Sequence, residues 1–284
     1  MADLARINND QQLTRIEPTQ GWGSLKLRDI WRYRELMFFL TWRDIKVRYK
    51  QTLLGAAWAV IRPLFSMVIF TLIFGGIADL DSEGVPYQLF SFTALLPWQL
   101  FSKAMSYAGQ SLVKNRAMIT KIYFPRLVIP VSSVLSGLVD FLIAFVILLG
   151  MMVYFGTAPT SAVWTLPLFL LLAMTTALGV GLWFSALNVQ FRDIGYILPF
   201  LTQAWLYITP VAYSSQYISE KWQMVYALNP MAGVVQGFRW ALLGTDLGPN
   251  AQLTISISAI ISVVLLITGL FYFRRMERTF ADVV

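Results

Sequence analysis

The stretch AQLTISISAIISVVLLITGLFYF, Ala251–Phe273, carries no charged residue from end to end. About 20 mostly apolar residues in helical form cross the hydrocarbon of a bilayer, so one segment of this kind already commits the chain to a membrane. Five further stretches read the same way: Leu54–Ala78, Tyr87–Tyr107, Leu127–Phe155, Val163–Val189 and Gly195–Tyr213. Lys103 lies near the end of the second, where its long stem is expected to carry the ammonium out to the interface. Composition agrees, because 57% of the 284 residues are hydrophobic and only 13% charged, too few to coat a soluble domain of this size. The expected class is an all-α integral membrane protein with six transmembrane helices. No internal repeat is evident in the sequence.

Lys and Arg set the orientation, because they accumulate in cytoplasmic loops. Ten precede residue 51; Lys103, Lys114, Arg116, Lys121 and Arg126 follow the second span; Arg192 separates the fourth and fifth; Arg274, Arg275 and Arg278 follow the sixth. These regions alternate onto one side and hold 19 of the 22 basic residues. Both termini are therefore expected in the cytoplasm, with the acidic DLDSEG loop outside. The net charge of +7 follows from this asymmetry and from attraction to anionic lipid, without invoking nucleic acid. The first 50 residues are too polar for a cleavable signal peptide. We expect a cytoplasmic segment over 1–53 and a single membrane domain over 54–284.

Three segments outside the spans carry more information. Leu25–Gln51, read as a helix, places Tyr33, Leu36, Met37, Leu40 and Val47 on one stripe and Arg32, Glu35, Arg43, Lys46 and Lys50 on another. With Trp31 and Trp42 as anchors, this suits an amphipathic helix in the membrane interface. Gly109–Arg126 is basic and amphipathic, either a docking and gating element or a solvated positive loop. Glu220–Asp246 is apolar but divided by Asn229-Pro230 into pieces of about eight and thirteen residues, too short to span. Asparagine before proline favours a turn, so a re-entrant outer hairpin over about 220–244 is expected between spans five and six. The plainer alternative is two short helices flat on the outer leaflet.

Chemistry is scarce. The chain has no histidine and no cysteine, so the usual metal ligands and proton shuttles are missing. It also has no GxxxxGK[ST] phosphate loop. No catalytic or metal site is expected, and a lipid-processing enzyme is poorly supported. Within the spans stand Arg62 and Asp140, the latter about thirteen residues, or roughly 20 Å, into its helix. Arg62 either snorkels or faces a functional cavity; Asp140 is expected to bond a neighbouring Ser or Thr or to face such a cavity. A direct Arg62–Asp140 pair is disfavoured by their different depths. Aromatic residues make up 15% of the chain. Trp58, Trp98, Phe101, Tyr107, Trp183, Phe184, Trp205 and Tyr207 suit either a sugar conduit or ordinary interfacial girdles.

In order, RDIKVRYKQTLLGAAWAVIRPL, KNRAMITKIYFPR, NVQFRDIG and ALNPM, set around six spans, resemble the permease subunits of ABC-2-type polysaccharide exporters, most of all the O-antigen export (Wzm-type) permeases. The resemblance covers about residues 28–275. It implies a homodimer in the bacterial inner membrane that pairs with two separate ATPase subunits holding ATP and Mg, with no cofactor in this chain. It implies export of an undecaprenyl-diphosphate-linked polysaccharide, O-antigen foremost, through a channel between the subunits. By position, Trp31, Arg43, Phe191, Arg192 and Asp193 would couple to the ATPase. Arg62, Lys114, Arg116, Lys121 and Arg126 would meet the lipid diphosphate at a gate over about 108–126. Trp58, Trp98, Phe101, Tyr107, Trp205 and Tyr207 would line the channel, and the Asn229-Pro230 hairpin would close its outer end. Capsule or teichoic acid export, export of a small lipid or drug, and a standalone lipid enzyme or scaffold are the alternatives.

Overall fold

The computed structural model describes residues 27–50, 55, 57–247, 250–278 and 280. Residues 1–26 and 51–54, which hold most of the expected cytoplasmic segment and the start of the first span, lie outside that set. Among the described residues all regular structure is helical. Two helices, α1 (Leu27–Arg32) and α2 (Arg34–Lys50), precede α3 (Ala57–Phe70), which runs on as π-helix over Thr71–Ile77. Then come α4 (Tyr87–Lys114), the short α5 (Arg116–Ile119) and α6 (Val128–Tyr154). A 3-10 turn over Ser161–Thr165 opens α7 (Leu166–Gln190), followed by α8 (Ile194–Ile208). The chain ends with α9 (Glu220–Ala227), α10 (Pro230–Leu243) and α11 (Ala251–Met276).

Four of these are long and apolar enough to cross a membrane: Ala57–Ile77, Val128–Tyr154, Ser161–Gln190 and Ala251–Met276. They coincide with the first, third, fourth and sixth expected spans. The other two differ from expectation. α4 runs to Lys114 rather than stopping near Tyr107, and it is more polar than a lipid-facing helix because it occupies the middle of the bundle. Its Ser91, Thr93 and Ser111 are buried, and it packs chiefly on α6 and α7. α8 is only 15 residues long. It stops at Ile208 because Thr209 precedes Pro210 and is held extended, at φ −89° and ψ 141°, as the proline ring requires of the residue before it.

The expected break at Asn229-Pro230 is present, between helices of eight and fourteen residues. The Asn229 side chain accepts the Met231 N–H and Pro230 takes the first helical position, the usual way to start a helix. Gly244, at φ 71°, ends it in the left-handed conformation. Thirteen of the fourteen α10 residues are buried, enclosed by α4, α7 and α11.

The core is built around α4. Leu89, Phe92, Phe101, Met105, Phe141, Phe169 and Phe238 form its larger part, and Leu40, Leu112, Phe124, Leu182 and Phe273 a second part at the end where α5 sits. We refer to these as the hairpin end and the basic end. α7 and α11 meet so closely that a Cβ on Gly179 would lie 2.6 Å from the Leu266 nitrogen. That approach excludes any larger residue there.

Helix α2 follows the first turns of α6. Thr41 donates to the Ser132 carbonyl (3.4 Å) and Arg48 to Ser136 Oγ (3.0 Å), so the two helices advance in the same direction. Its inward stripe is Leu36, Met37, Leu40, Thr41, Asp44 and Arg48, all buried or half-buried, whereas Val47 is 64% exposed. Val47 therefore leaves the expected apolar stripe, and polar residues three and four positions apart continue it. Trp31, Phe38, Phe39 and Trp42 face away from the chain.

Candidate functional site

At the C-terminal end of α2, three helices bring charges together. Asp140 of α6 takes Arg48 on one carboxylate oxygen (3.2 Å) and Lys103 of α4 on the other (3.2 Å). Tyr49 donates its hydroxyl to the Arg48-facing oxygen. The side chains of Asp140, Arg48 and Lys103 are only 9%, 21% and 19% exposed. Lys103 thus turns inward to a carboxylate instead of snorkelling, and Asp140 meets two cations and a phenol rather than a neighbouring Ser or Thr. Burial first, and then the bond and charge of Asp140, push the Tyr49 phenol well above the usual tyrosine range, so it remains a donor. Two cations against one carboxylate leave the cluster with an excess positive charge. Sequence reasoning singled out neither Arg48 nor Tyr49. The signal was their continuation of the α2 inward stripe.

Arg48 also lies 4.5 Å from the centre of the Tyr107 ring, and Lys114 lies 5.9 Å from it. Tyr107 is accordingly a cation-binding ring between α2 and α4. Arg43 bonds Asp44 (2.7 Å) and Asn115 (2.8 Å), tying α2 to the start of the basic loop. Lys114, Arg116 and Lys121 are exposed. Arg126 differs: its guanidinium donates to the Glu277 carbonyl and lies 6.0 Å from the Phe280 ring. Its backbone N–H also donates to the Glu277 carboxylate at 3.1 Å. It fastens the loop to the end of α11 and is not the free anion-binding group expected of it.

Arg62 and Pro63 separate. Arg62 is exposed on α3, 5.6 Å from the Trp58 ring. Pro63 is buried and borders a small cavity with Lys103 and Asp140. Phe191, Arg192 and Asp193 form the exposed turn between α7 and α8, and Trp31 is 69% exposed.

The aromatic candidates divide by burial. Trp98 and Phe101, 3% and 0% exposed, are core residues. Phe101 packs on Trp98 and Trp205 with ring centres 5.4 and 5.0 Å apart. Both point into the bundle of this chain. Trp58 and Tyr207 are exposed. The Trp205 indole donates to the Asn229 side-chain carbonyl (2.9 Å), and the Asn229 amide donates to Thr209 Oγ1 (3.0 Å).

The hairpin end holds a buried cation of its own. Arg239 of α10 is 3% exposed. It donates to the carbonyls of Pro210 (2.7 Å), Val211 (2.7 Å), Tyr213 (3.2 Å) and Phe90 (3.2 Å). Its guanidinium carbon is 3.4 Å from the centre of the Phe90 ring. Tyr87 donates to the Ala212 carbonyl beside it. Beyond the end of α8, Arg239 holds the carbonyls of Pro210, Val211 and Tyr213, Tyr87 that of Ala212, and Asn229 the Thr209 hydroxyl. Among the described residues no cluster of three or more acidic, His or Cys groups suits a metal ion. The site offers exposed cations, exposed aromatic rings and a buried ionic junction.

Residues 35–243 match the ABC-2 type transporter family. The chain is 32% identical over 254 residues to the O-antigen export system permease protein RfbA of Klebsiella pneumoniae, covering 88% of this chain and 95% of that one. Identity to the protein of the same name from Myxococcus xanthus is 30% over 258 residues, or 90% and 98% of the two chains. The polysialic acid transport protein KpsM of Escherichia coli is 25% identical over 244 residues, 83% of this chain and 91% of that one.

Proposed function

The chain belongs to the ABC-2 type transporter family, and on that premise we propose that it is the membrane half of an ATP-driven exporter of a lipid-linked polysaccharide, foremost an O-antigen. Similarity along nearly the whole length of the O-antigen export permeases carries this reading. In it, α4 and α8 add to the four long apolar helices to make six spans in the bacterial inner membrane. The basic end faces the cytoplasm, and the α9–α10 hairpin dips back from the periplasmic side. Two copies form the channel, and two separate ATPase subunits bind ATP and Mg. The exposed Phe191–Asp193 turn, Trp31 and Arg43, which joins α2 to the loop, are placed to receive their motion. Lys114, Arg116, Lys121 and Arg62 attract the diphosphate of an undecaprenyl-linked chain, since Lys and Arg bind phosphate by charge-assisted hydrogen bonds. Trp58 and Tyr207 offer surfaces on which sugar rings stack.

Deleting the gene tests the proposal. Surface polysaccharide should disappear while lipid-linked polymer accumulates inside, and an ATPase should co-purify with the tagged protein. Unchanged surface polymer with no ATPase partner would overturn it. The double change Arg116→Glu and Lys121→Glu should reduce export at least tenfold without altering membrane insertion; wild-type export would return the loop to an ordinary solvated one. A capsular polymer is the second reading, favoured by the likeness to the polysialic acid transporter, and the chemistry of the accumulated polymer separates the two.

A further inference from the structure

The long apolar helices turn hydrocarbon outward: Phe65 on α3, Val146 on α6, Leu171 on α7 and Ile260 on α11 are each between 60% and 65% exposed. Helix α4 does the opposite. Between residues 99 and 110 its partly exposed side chains are Gln99, Ser102, Lys103, Ser106, Tyr107 and Gln110, while Leu100, Phe101, Ala104, Met105 and Ala108 are buried. Gln99, Ser102, Ser106 and Gln110 fall three or four residues apart, so they form a line of uncharged polar groups, one per turn over about 16 Å. Pro63 of α3 shares a small cavity with Gln99, and Leu198 of α8 lies against Gly109. These helices flank the line without covering it. Ser102 turns back to the Gln99 carbonyl (3.3 Å), but the side chains of Gln99, Ser106 and Gln110 have no hydrogen-bond partner among the described residues. Gln99 lies twelve residues into α4, about 18 Å. With α4 read as a span, the line therefore starts deep in the hydrocarbon.

Amides at that depth are not left facing lipid, because nothing there replaces the hydrogen bonds of water. Polar positions inside a span face protein or a wetted cavity. The line carries no charge to hold an anion, and Lys103 beside it is turned to Asp140. An apolar amphiphile would leave the amides unpaired. A sugar hydroxyl both donates and accepts, which matches side-chain amides and serine hydroxyls. A cargo in transit also needs contacts that recur and that are each weak enough to release it. We propose that Gln99, Ser102, Ser106 and Gln110 form a track for the neutral sugar units of the exported chain, which pass along α4 from one polar group to the next. This rests on the polysaccharide-export reading above, and it adds the residues that set a polymer apart from a small lipid or drug.

The chain has no cysteine, so a single introduced thiol reports its own surroundings in the assembled transporter. Ser106→Cys and Gln110→Cys, with Val146→Cys as a lipid-facing control, are treated with a charged, membrane-impermeant thiol reagent. Spheroplasts and inside-out vesicles are both used, with and without ATP. In a strain that makes no polymer, the two α4 thiols should react at least tenfold faster than the control. In a polymer-producing strain their labelling should slow at least threefold, because sugar occupies the track. Gln99→Leu with Gln110→Leu should lower surface polymer at least tenfold with membrane insertion unchanged, and Gln99→Asn with Gln110→Asn, which keeps the amides, should retain most of it. Thiols unreactive under every condition would mean that protein covers the line. Labelling indifferent to polymer would make the line a water path only, and wild-type export by the leucine variant would make its amides idle. Each of these results overturns the track. If deleting the gene abolishes surface polymer, they overturn the track alone, whereas surface polymer that survives the deletion overturns the export reading itself.

Discussion

Arg48 and Arg239 are both guanidinium groups inside the chain, and they are accommodated by different means. Arg48 answers a carboxylate and shares it with Lys103. Among the described residues, every hydrogen bond of Arg239 goes to a main-chain carbonyl. Near the middle of α4, then, lies a junction of side chains from three helices, which other side chains could replace as a set. The hairpin end holds a weld between one side chain and the carbonyls of Phe90, Pro210, Val211 and Tyr213, and no substitution elsewhere removes those carbonyls. The first is suited to a place where helices shift; the second fixes a loop.

The contrast is broken most severely at the weld. Arg239→Met takes the donor from four carbonyls, three of them buried, and should cost about 4 kcal/mol or more, read as a collapse in folded yield and melting temperature. Arg239→Lys, which keeps charge but not the fork, should recover only part. Next comes Asp140→Ala, which leaves two cations facing each other and should cost about 3 kcal/mol. The triple change Arg48→Met, Lys103→Met and Asp140→Leu sharpens the comparison. Replacing a buried ionic set by apolar groups of similar size is often neutral or stabilising, so the melting temperature should return near wild type. Failure to recover would show that the junction also supports the fold through geometry. A smaller effect, about 1 kcal/mol, is expected for Tyr49→Phe, measured in the same unfolding assay. Arg62→Gln, at an exposed position, should change stability by less than about 0.5 kcal/mol. A clear loss of export in that variant would place Arg62 in the transport path.

Local chemistry was legible in the sequence, and pairing across distance was not. The stop at Asn229-Pro230 and the four long apolar helices follow from proline geometry and hydrophobic length, both carried by neighbouring residues. The Thr209-Pro210 stop of α8 carried the same kind of signal, but the apolar run through Val211 and Ala212 masked it. Lys103 reads as an interfacial lysine until Asp140, 37 residues away, is known to face it. Tyr49 and Asp140 are 91 residues apart, and no periodicity connects them. Arg126 belongs to a basic run yet is committed to Glu277, which again depends on where another helix ends. Trp98 and Phe101 show the limit of composition: an aromatic residue in a span says nothing about which way it points.

Helix α4 is the longest of the described helices. Its 28 residues make a rod of about 42 Å, some 12 Å longer than the hydrocarbon of a typical bilayer. Lys103 sits about 24 Å from one tip and about 17 Å from the other, pinned to α6 through Asp140. Tyr87, at the far tip, bonds the very segment that Arg239 holds. One continuous helix therefore joins the basic loop, the Asp140 junction and the 209–213 segment.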